Sequence, residues 1–359
     1  MRRPRYRTGD NELDDAVADL AERVADPANA DLVFEIIASG IRLGLDHADR
    51  GDLKIASATL REMRQAFHVF APYRAARKVA IFGSARTLPE DPLYVQTREF
   101  AAAIASRDWM VVTGAGPGIM EAGIEGAGPD QAFGVSIKLP FEATTTQFGE
   151  SDPKLINFRY FFTRKLEFVK ESDAFVLLPG GFGTLDEAFE LLTLLQTGKA
   201  QPAPVVLLDV PGGTYWQTML DFVTRELATP RYVSPEDLAL MRATDDINEA
   251  VEEIVAFYSN YHSSRFVEGR LVLRMLHAPS APELAALGRD FADIVVRGEM
   301  EVIDATPREV EDGDHVDLAR VAFWFDRRNW ARLRMLVDRL NLAGVTDRRS
   351  PAPETRPAR

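Results

Sequence analysis

The sequence contains no cysteine, which excludes disulfides, thiolate metal sites and a cysteine nucleophile together. Positive charge is also short: 42 Lys and Arg stand against 55 Asp and Glu, for a formal net charge of -13 at pH 7. That balance disfavours broad contact with DNA or RNA phosphates, so no nucleic-acid partner is expected, although a local basic pocket is compatible with it. No apolar run approaches the ~18 residues of a membrane span. The start, Met1-Arg2-Arg3-Pro4-Arg5, is basic but lacks the apolar stretch that follows in a secretion signal. No membrane partner and a cytoplasmic location are therefore expected. The five histidines show neither metal-ligand spacing nor H-E-x-x-H, so no metal is expected, and no cofactor. G-x-x-x-x-G-K-S/T is absent as well, which sets aside the P-loop nucleotide hydrolases.

With 359 residues, 46% of them hydrophobic and 27% charged, the chain is long enough for two or three domains with a substantial core. Residues 1–10 and 343–359, the latter with Pro351, Pro353 and Pro357, read as disordered tails. From 11 to 75 apolar residues recur at helical spacing, as in Leu13, Val17, Leu20 and Val24, which predicts a prefix of two to four helices. Residues 76–262 alternate between the two kinds of element. Strands are expected at 79–82, 109–112, 134–139, 174–178 and 204–209, and helices at 94–106, 119–126, 156–171 and 185–196, with a polar loop at 142–153. Such alternation predicts an α/β fold, a doubly wound Rossmann-like parallel sheet whose ligands bind beyond the C-terminal strand ends. Residues 265–342 read as a small C-terminal α+β domain, with strands at 271–275, 300–305 and 321–325 and helices at 282–295 and 330–342. Its role is not legible.

Three predicted strand ends lead through glycine. They are Gly83-Ser84-Ala85-Arg86, Gly114-Ala115-Gly116-Pro117-Gly118, and Pro179-Gly180-Gly181-Phe182-Gly183-Thr184. A glycine turn into a helix gathers backbone N–H groups and the positive helix end, which suits an anion. The Gly114 loop departs from G-x-G-x-x-G because Ile119 holds the last glycine position, and the next strand ends at Lys138 rather than at an acidic residue. Both departures weaken a dinucleotide reading. In the third loop the helix is expected to begin near Thr184, with Glu187 one turn in, where its carboxylate can act on whatever carries the anion. The plainer reading is a capping box, with Glu187 bonded to the Thr184 N–H. Arg164 and Lys165 emerge from a mostly apolar side of the preceding helix, with Phe161 and Phe168 on the Arg164 row. That favours a cleft-facing role over a solvated pair of Arg164 with Glu167. Ser84 and Arg86 either touch the ligand or form an ordinary turn. Met120 either contacts it or fills the core, and Glu121 either serves the site or simply favours a helix start.

Pro179-Gly180-Gly181-Phe182-Gly183-Thr184-Leu185-Asp186-Glu187 resembles the PGGxGTxxE signature of the Lonely Guy (LOG) phosphoribohydrolases, long mislabelled as lysine decarboxylases. Arg164-Lys165 is similar to the arginine–lysine pair on their preceding helix. The run from Gly114 to Glu121 resembles their second glycine motif, in the form seen in longer bacterial members and nucleotide 5′-monophosphate nucleosidases. The resemblance covers about residues 77–260 and leaves out the prefix and the C-terminal domain, which set this chain apart from the short cytokinin-activating members. It implies hydrolysis of the N-glycosidic bond of a nucleoside 5′-monophosphate, AMP or an N6-substituted AMP such as a cytokinin riboside monophosphate, to free base and ribose 5-phosphate. Glu187 would be the catalytic carboxylate, with Arg164 beside it. Gly180, Gly181, Gly183 and Thr184 would hold the phosphate, helped by Gly114, Gly116 and Gly118. Lys165, Ser84, Met120 and Glu121 would be further substrate contacts. The resemblance also implies a homodimer or a higher homo-oligomer. Two other classes stand beside this one: a nucleotide sensor using the same cradle without cleavage, and a single-stranded DNA binder, which the charge and the lack of an aromatic-basic stripe disfavour.

Overall fold

The computed structural model describes residues 6–137 and 152–343. Nearly all of the loop read at 142–153, the strand end at Lys138 and Leu139, and the tails at 1–5 and 344–359 lie outside the described residues. The chain divides into two compact units, Met1–Arg64 and Gln65–Arg359. The first holds α1 (Asn11–Val24), α2 (Ala30–Leu45) and the beginning of α3 (Arg50–Phe70). Asp10 caps α1 by accepting from the N–H groups of Glu12 and Leu13, and Val17 and Ala21 cluster with Phe34 and Ala38. The end of the expected N-terminal tail is held in place: the N–H and hydroxyl of buried Thr8 both donate to Asp14 Oδ1, at 2.9 and 2.8 Å.

The second unit begins with the end of α3 and a seven-stranded parallel sheet. Its elements are β1 (Lys78–Phe82), α4 (Pro92–Ala105), β2 (Met110–Thr113), α5 (Ile119–Ala127), β3 (Ala132–Ile137), β4 (Leu155–Phe158) and α6 (Phe161–Glu171), then β5 (Ala174–Leu177), α7 (Phe182–Gln196), β6 (Val205–Leu208), α8 (Tyr215–Phe222), β7 (Arg242–Thr244) and α9 (Ile247–Phe257). β1, β2, β5 and β6 are buried along their whole length, the mark of parallel strands covered on both faces. Side chains alternate between two cores: Val79, Ile81 and Val176 go to one, Phe82, Phe175 and Leu177 to the other. The strand order is β4-β3-β2-β1-β5-β6-β7. The chain winds outward from β1 in one direction and restarts from β5 in the other, so the topological switch point falls between these two neighbours.

Two sequence expectations change here. The helix read from 156 to 171 is in its first part β4, paired in parallel with β3. Ile156 and Phe158 are buried while Asn157 between them is exposed, a period of two that four residues cannot announce within a longer apolar stretch. The helix read from 185 starts at Phe182. α8, β7 and α9 are additions.

The rest of the unit is an antiparallel sheet of order β10-β11-β9-β8 with helices against it. Its elements are β8 (Tyr261–Val267), β9 (Arg270–Met275), α10 (Ala281–Asp290), β10 (Glu301–Ile303), α11 (Pro307–Asp312), β11 (Ala319–Phe323) and α12 (Trp330–Leu342). The sequence reading began this sheet at Leu271 and lacked β8. β8 joins β9 through Glu268 and Gly269, both at positive φ, as a two-residue turn between right-twisted strands requires. α12 fastens the sheet to the first one: Arg334 bonds Glu253 of α9 and the Ala203 carbonyl, and Asn341 accepts from the N–H groups of Asn260 and Tyr261. Among the described residues no helix is long and apolar enough to cross a membrane.

Candidate functional site

The C-terminal ends of β1, β2, β3 and β5 open on a cleft of about 860 Å³ at the switch point. Backbone bonds join the loops that form it. The Ser84 N–H donates to the Pro179 carbonyl at 3.3 Å, and the Ser84 carbonyl accepts from the Ile119 N–H at 3.1 Å. The three glycine turns read from the sequence are thus one structure. Gly114 allows a close approach within it: a Cβ there would stand 2.2 Å from the Arg164 guanidinium. Arg164, from the first turn of α6, donates through Nε to the Val135 carbonyl at 2.8 Å and lies 5.3 Å from the Phe168 ring centroid. Its head is therefore positioned by β2, β3 and its own helix.

α7 starts at Phe182 with Gly181 as N-cap, whose carbonyl accepts from the Leu185 N–H at 3.2 Å. The N–H groups of Phe182, Gly183 and Thr184 therefore occupy the first turn, where no intrahelical acceptor exists. A Cβ on Gly180 would meet Thr184 Oγ1 at 2.2 Å, so the loop folds tightly onto that turn. The Tyr215 hydroxyl donates to the Gly180 carbonyl at 2.8 Å. In a trans peptide the following N–H points the opposite way, so Tyr215 sets the direction of the Gly181 donor. Because the helix begins before Thr184, that residue is not its cap. No hydrogen bond joins Glu187 to the Thr184 N–H among the described residues, and Glu187 lines the cleft instead.

Burial pushes the Glu187 carboxyl up to about 7; the charges of Lys165 and Arg164 oppose that rise, and Asp186 and Glu190 add to it. Ser84, Arg86, Gly114, Gly116 and Met120 line the cleft from the β1 and β2 side. Gly180, Gly181, Gly183 and Thr184 line it from the β5 side, with Arg164 from α6. Three expected contacts lie elsewhere. Gly118 is the N-cap of α5, and Glu121 sits in the first turn of that helix; neither lines the cleft. Lys165 pairs with Asp186 at 2.8 Å and with Glu190, behind Glu187. Its charge opposes the rise of the Glu187 carboxyl. Ser136, Phe161, Phe182 and Tyr215 line the cleft without having been expected. Phe182 was inside the quoted motif, but its side chain is 94% exposed, a position that no motif encodes. Tyr215 arrives from the β6–α8 connection, which carries no pattern tying it to Gly180.

A family model described as "Possible lysine decarboxylase" matches residues 116–254, less than half of the chain. Among curated proteins, the cytokinin riboside 5′-monophosphate phosphoribohydrolase LOG1 of Arabidopsis thaliana is 36% identical over 91 residues, 25% of this chain and 41% of its own length. The probable cytokinin riboside 5′-monophosphate phosphoribohydrolase LOGL3 of Oryza sativa subsp. japonica is 34% identical over 99 residues, 28% and 44% of the two chains. This chain thus spans less than half the length of these two relatives. Among solved structures, the molybdenum cofactor carrier protein of Chlamydomonas reinhardtii is 20% identical with a TM-score of 0.35, covering 50% of this chain and 99% of its own. At that score the likeness adds nothing to the topology already described. Joined by the glycine loops and by Arg164 and Glu187 around one cleft, the matched segment resembles the LOG family of phosphoribohydrolases.

Proposed function

We propose that the protein hydrolyses the N-glycosidic bond of a nucleoside 5′-monophosphate, AMP or an N6-substituted AMP, releasing the base and ribose 5-phosphate. The observation that carries this reading is the placing of Glu187 in one cleft with the first-turn donors of α7. A helix end alone contributes about 0.3–2 kcal/mol toward an anion, so the phosphate also needs the Gly181 N–H and the Arg164 guanidinium. With the phosphate on that floor, the ribose extends toward Glu187. Breaking the bond from the anomeric carbon to the base nitrogen leaves an oxocarbenium-like sugar, which a nearby carboxylate stabilises. A water then adds its oxygen to that carbon and gives a proton to Glu187, which returns it to solvent, while the departing base takes one from solvent. The names of the plant relatives support the substrate class, and their N6-substituted substrates differ from AMP only at the edge of the base.

Incubation with AMP is expected to yield adenine and ribose 5-phosphate in equal amounts by chromatography. Binding without product would leave a nucleotide sensor. The clamp on Gly180 supplies a finer expectation. Tyr215→Phe removes one hydrogen bond, of about 1 kcal/mol, from the cradle and not from the reacting carbon. KM for AMP should rise about fivefold with kcat little changed. An equal loss confined to kcat would place Tyr215 at the chemical step instead.

A further inference from the structure

A second cavity, of about 680 Å³, lies at the opposite end of the first sheet. Arg77 and Asp173, which immediately precede β1 and β5, form one wall, and β8, β9 and the 312–315 loop form the other. The Arg77 side chain is 17% exposed and its guanidinium carbon lies over the Tyr258 ring, 3.6 Å from the centroid. Its ion pair with Asp173 is long, 3.8 Å, and among the described residues its N–H groups make no hydrogen bond. Facing it are His262, 7% exposed, and His315, with ring centroids 4.7 Å apart. Burial, the neighbouring imidazole and the charges of Arg77 and Arg274 pull His262 down to about 4 against the pull of Asp314. Burial and the Arg274 charge lower His315 as well. At neutral pH the pair is uncharged.

The wall that carries His315 is built at some cost. His315 has φ +51, a left-handed conformation unfavourable by roughly 1 kcal/mol or more for a residue with a side chain. Arg320, fully buried, holds it there by donating to the carbonyls of Asp314 and His315 at 3.2 and 2.8 Å and to Glu309 at 3.1 Å. Glu309 is fully buried too and also accepts from Arg274, at 2.7 Å. Burying two arginines on one carboxylate is a poor route to stability compared with apolar packing, and here it fixes a loop that faces a cavity. Around that space Arg77, Arg265 and Arg274 balance Asp173, Asp312 and Asp314. In a chain of net charge -13 this is a region where an anion meets no net repulsion. It also meets unused donors on one side and two protonatable rings on the other.

We propose that this cavity is a second ligand site, for a small phosphorylated molecule whose phosphate is received between the Arg77 guanidinium and the His262–His315 pair. Donors on two sides suit the tetrahedral oxygens of a phosphate, whereas a carboxylate is satisfied by a single guanidinium fork. The volume admits a body larger than the phosphate itself. The inference is independent of the reaction proposed for the cleft.

The test is inorganic pyrophosphate added at millimolar concentration to the full-length protein at pH 7, read by the imidazole proton resonances. His262→Gln and His315→Gln assign them. The two resonances should move together, because an anion between Arg77 and the imidazoles changes the field at both rings. No histidine lines the first cleft, so pyrophosphate bound on the α7 cradle leaves these signals in place. Arg77→Gln should weaken the response at least tenfold while base release from AMP stays unchanged. Arg77→Lys, which keeps the charge and loses the fork, serves if the glutamine variant fails to fold. Unmoved resonances, or an undiminished response in both Arg77 variants, would overturn the site. An equal response to malonate would overturn the assignment to phosphate.

Discussion

Glu187→Gln is expected to reduce base release from AMP by about a thousandfold while leaving AMP binding close to that of the unaltered protein. The amide keeps the shape of the carboxylate and loses its charge, and the proposed phosphate donors, the Gly181 and α7 first-turn N–H groups and the Arg164 guanidinium, do not belong to Glu187. Single-turnover assays with equilibrium binding of AMP separate the two quantities. The rise of the Glu187 carboxyl to about 7 by burial adds a pH signature. Only the ionised form stabilises the sugar cation, so kcat/KM should climb about tenfold per pH unit below that value and level off above it. Lys165 opposes the rise; Lys165→Met should therefore move the midpoint upward. The second ionisation of AMP would not move with that substitution, which tells the two apart. Retained activity in Glu187→Gln, or a profile indifferent to Lys165, would remove Glu187 from the chemistry.

Glu167→Gln is expected to stabilise the protein at pH 8 by about 3 kcal/mol and to have little effect at pH 5. Glu167 lies on α6 three residues after Arg164, is 0% exposed, and among the described residues neither of its carboxyl oxygens has a hydrogen-bond partner. Burial pushes it from 4.5 up to about 7, with Lys170 opposing and Glu171 adding to the rise. A carboxyl raised in the folded state binds its proton more tightly there than in the unfolded chain. Stability therefore falls as pH rises from about 4.5 to about 7 and is flat above. The glutamine cannot ionise, so it escapes that loss. Urea unfolding of both proteins at pH 5, 6, 7 and 8 should show the gap opening across the window. A constant difference at every pH would mean that Glu167 has a partner in the folded protein.

The central strands were legible because β1, β2, β5 and β6 are apolar runs bounded by glycine or polar turns. The turn from β5 into α7 was legible because it and Glu187 lie within nine consecutive residues. β4 was not, since four residues of alternating burial adjoin a genuine helix. The partners of Lys165 were not legible for a related reason: helical spacing puts it beside Arg164, but only the fold brings Asp186 and Glu190 to it. Tyr215 lies 35 residues from Gly180, and Arg77 lies far in sequence from His262 and His315. Such pairings arise from strand order and sheet packing, which leave no local trace.

β1 carries Arg77 immediately before it and Gly83 immediately after it. Its five residues, at about 3.3 Å each, separate the two ends by roughly 16 Å. A ligand in the proposed cleft and one in the proposed second cavity would therefore not touch, and movement of β1 is a route by which one could influence the other.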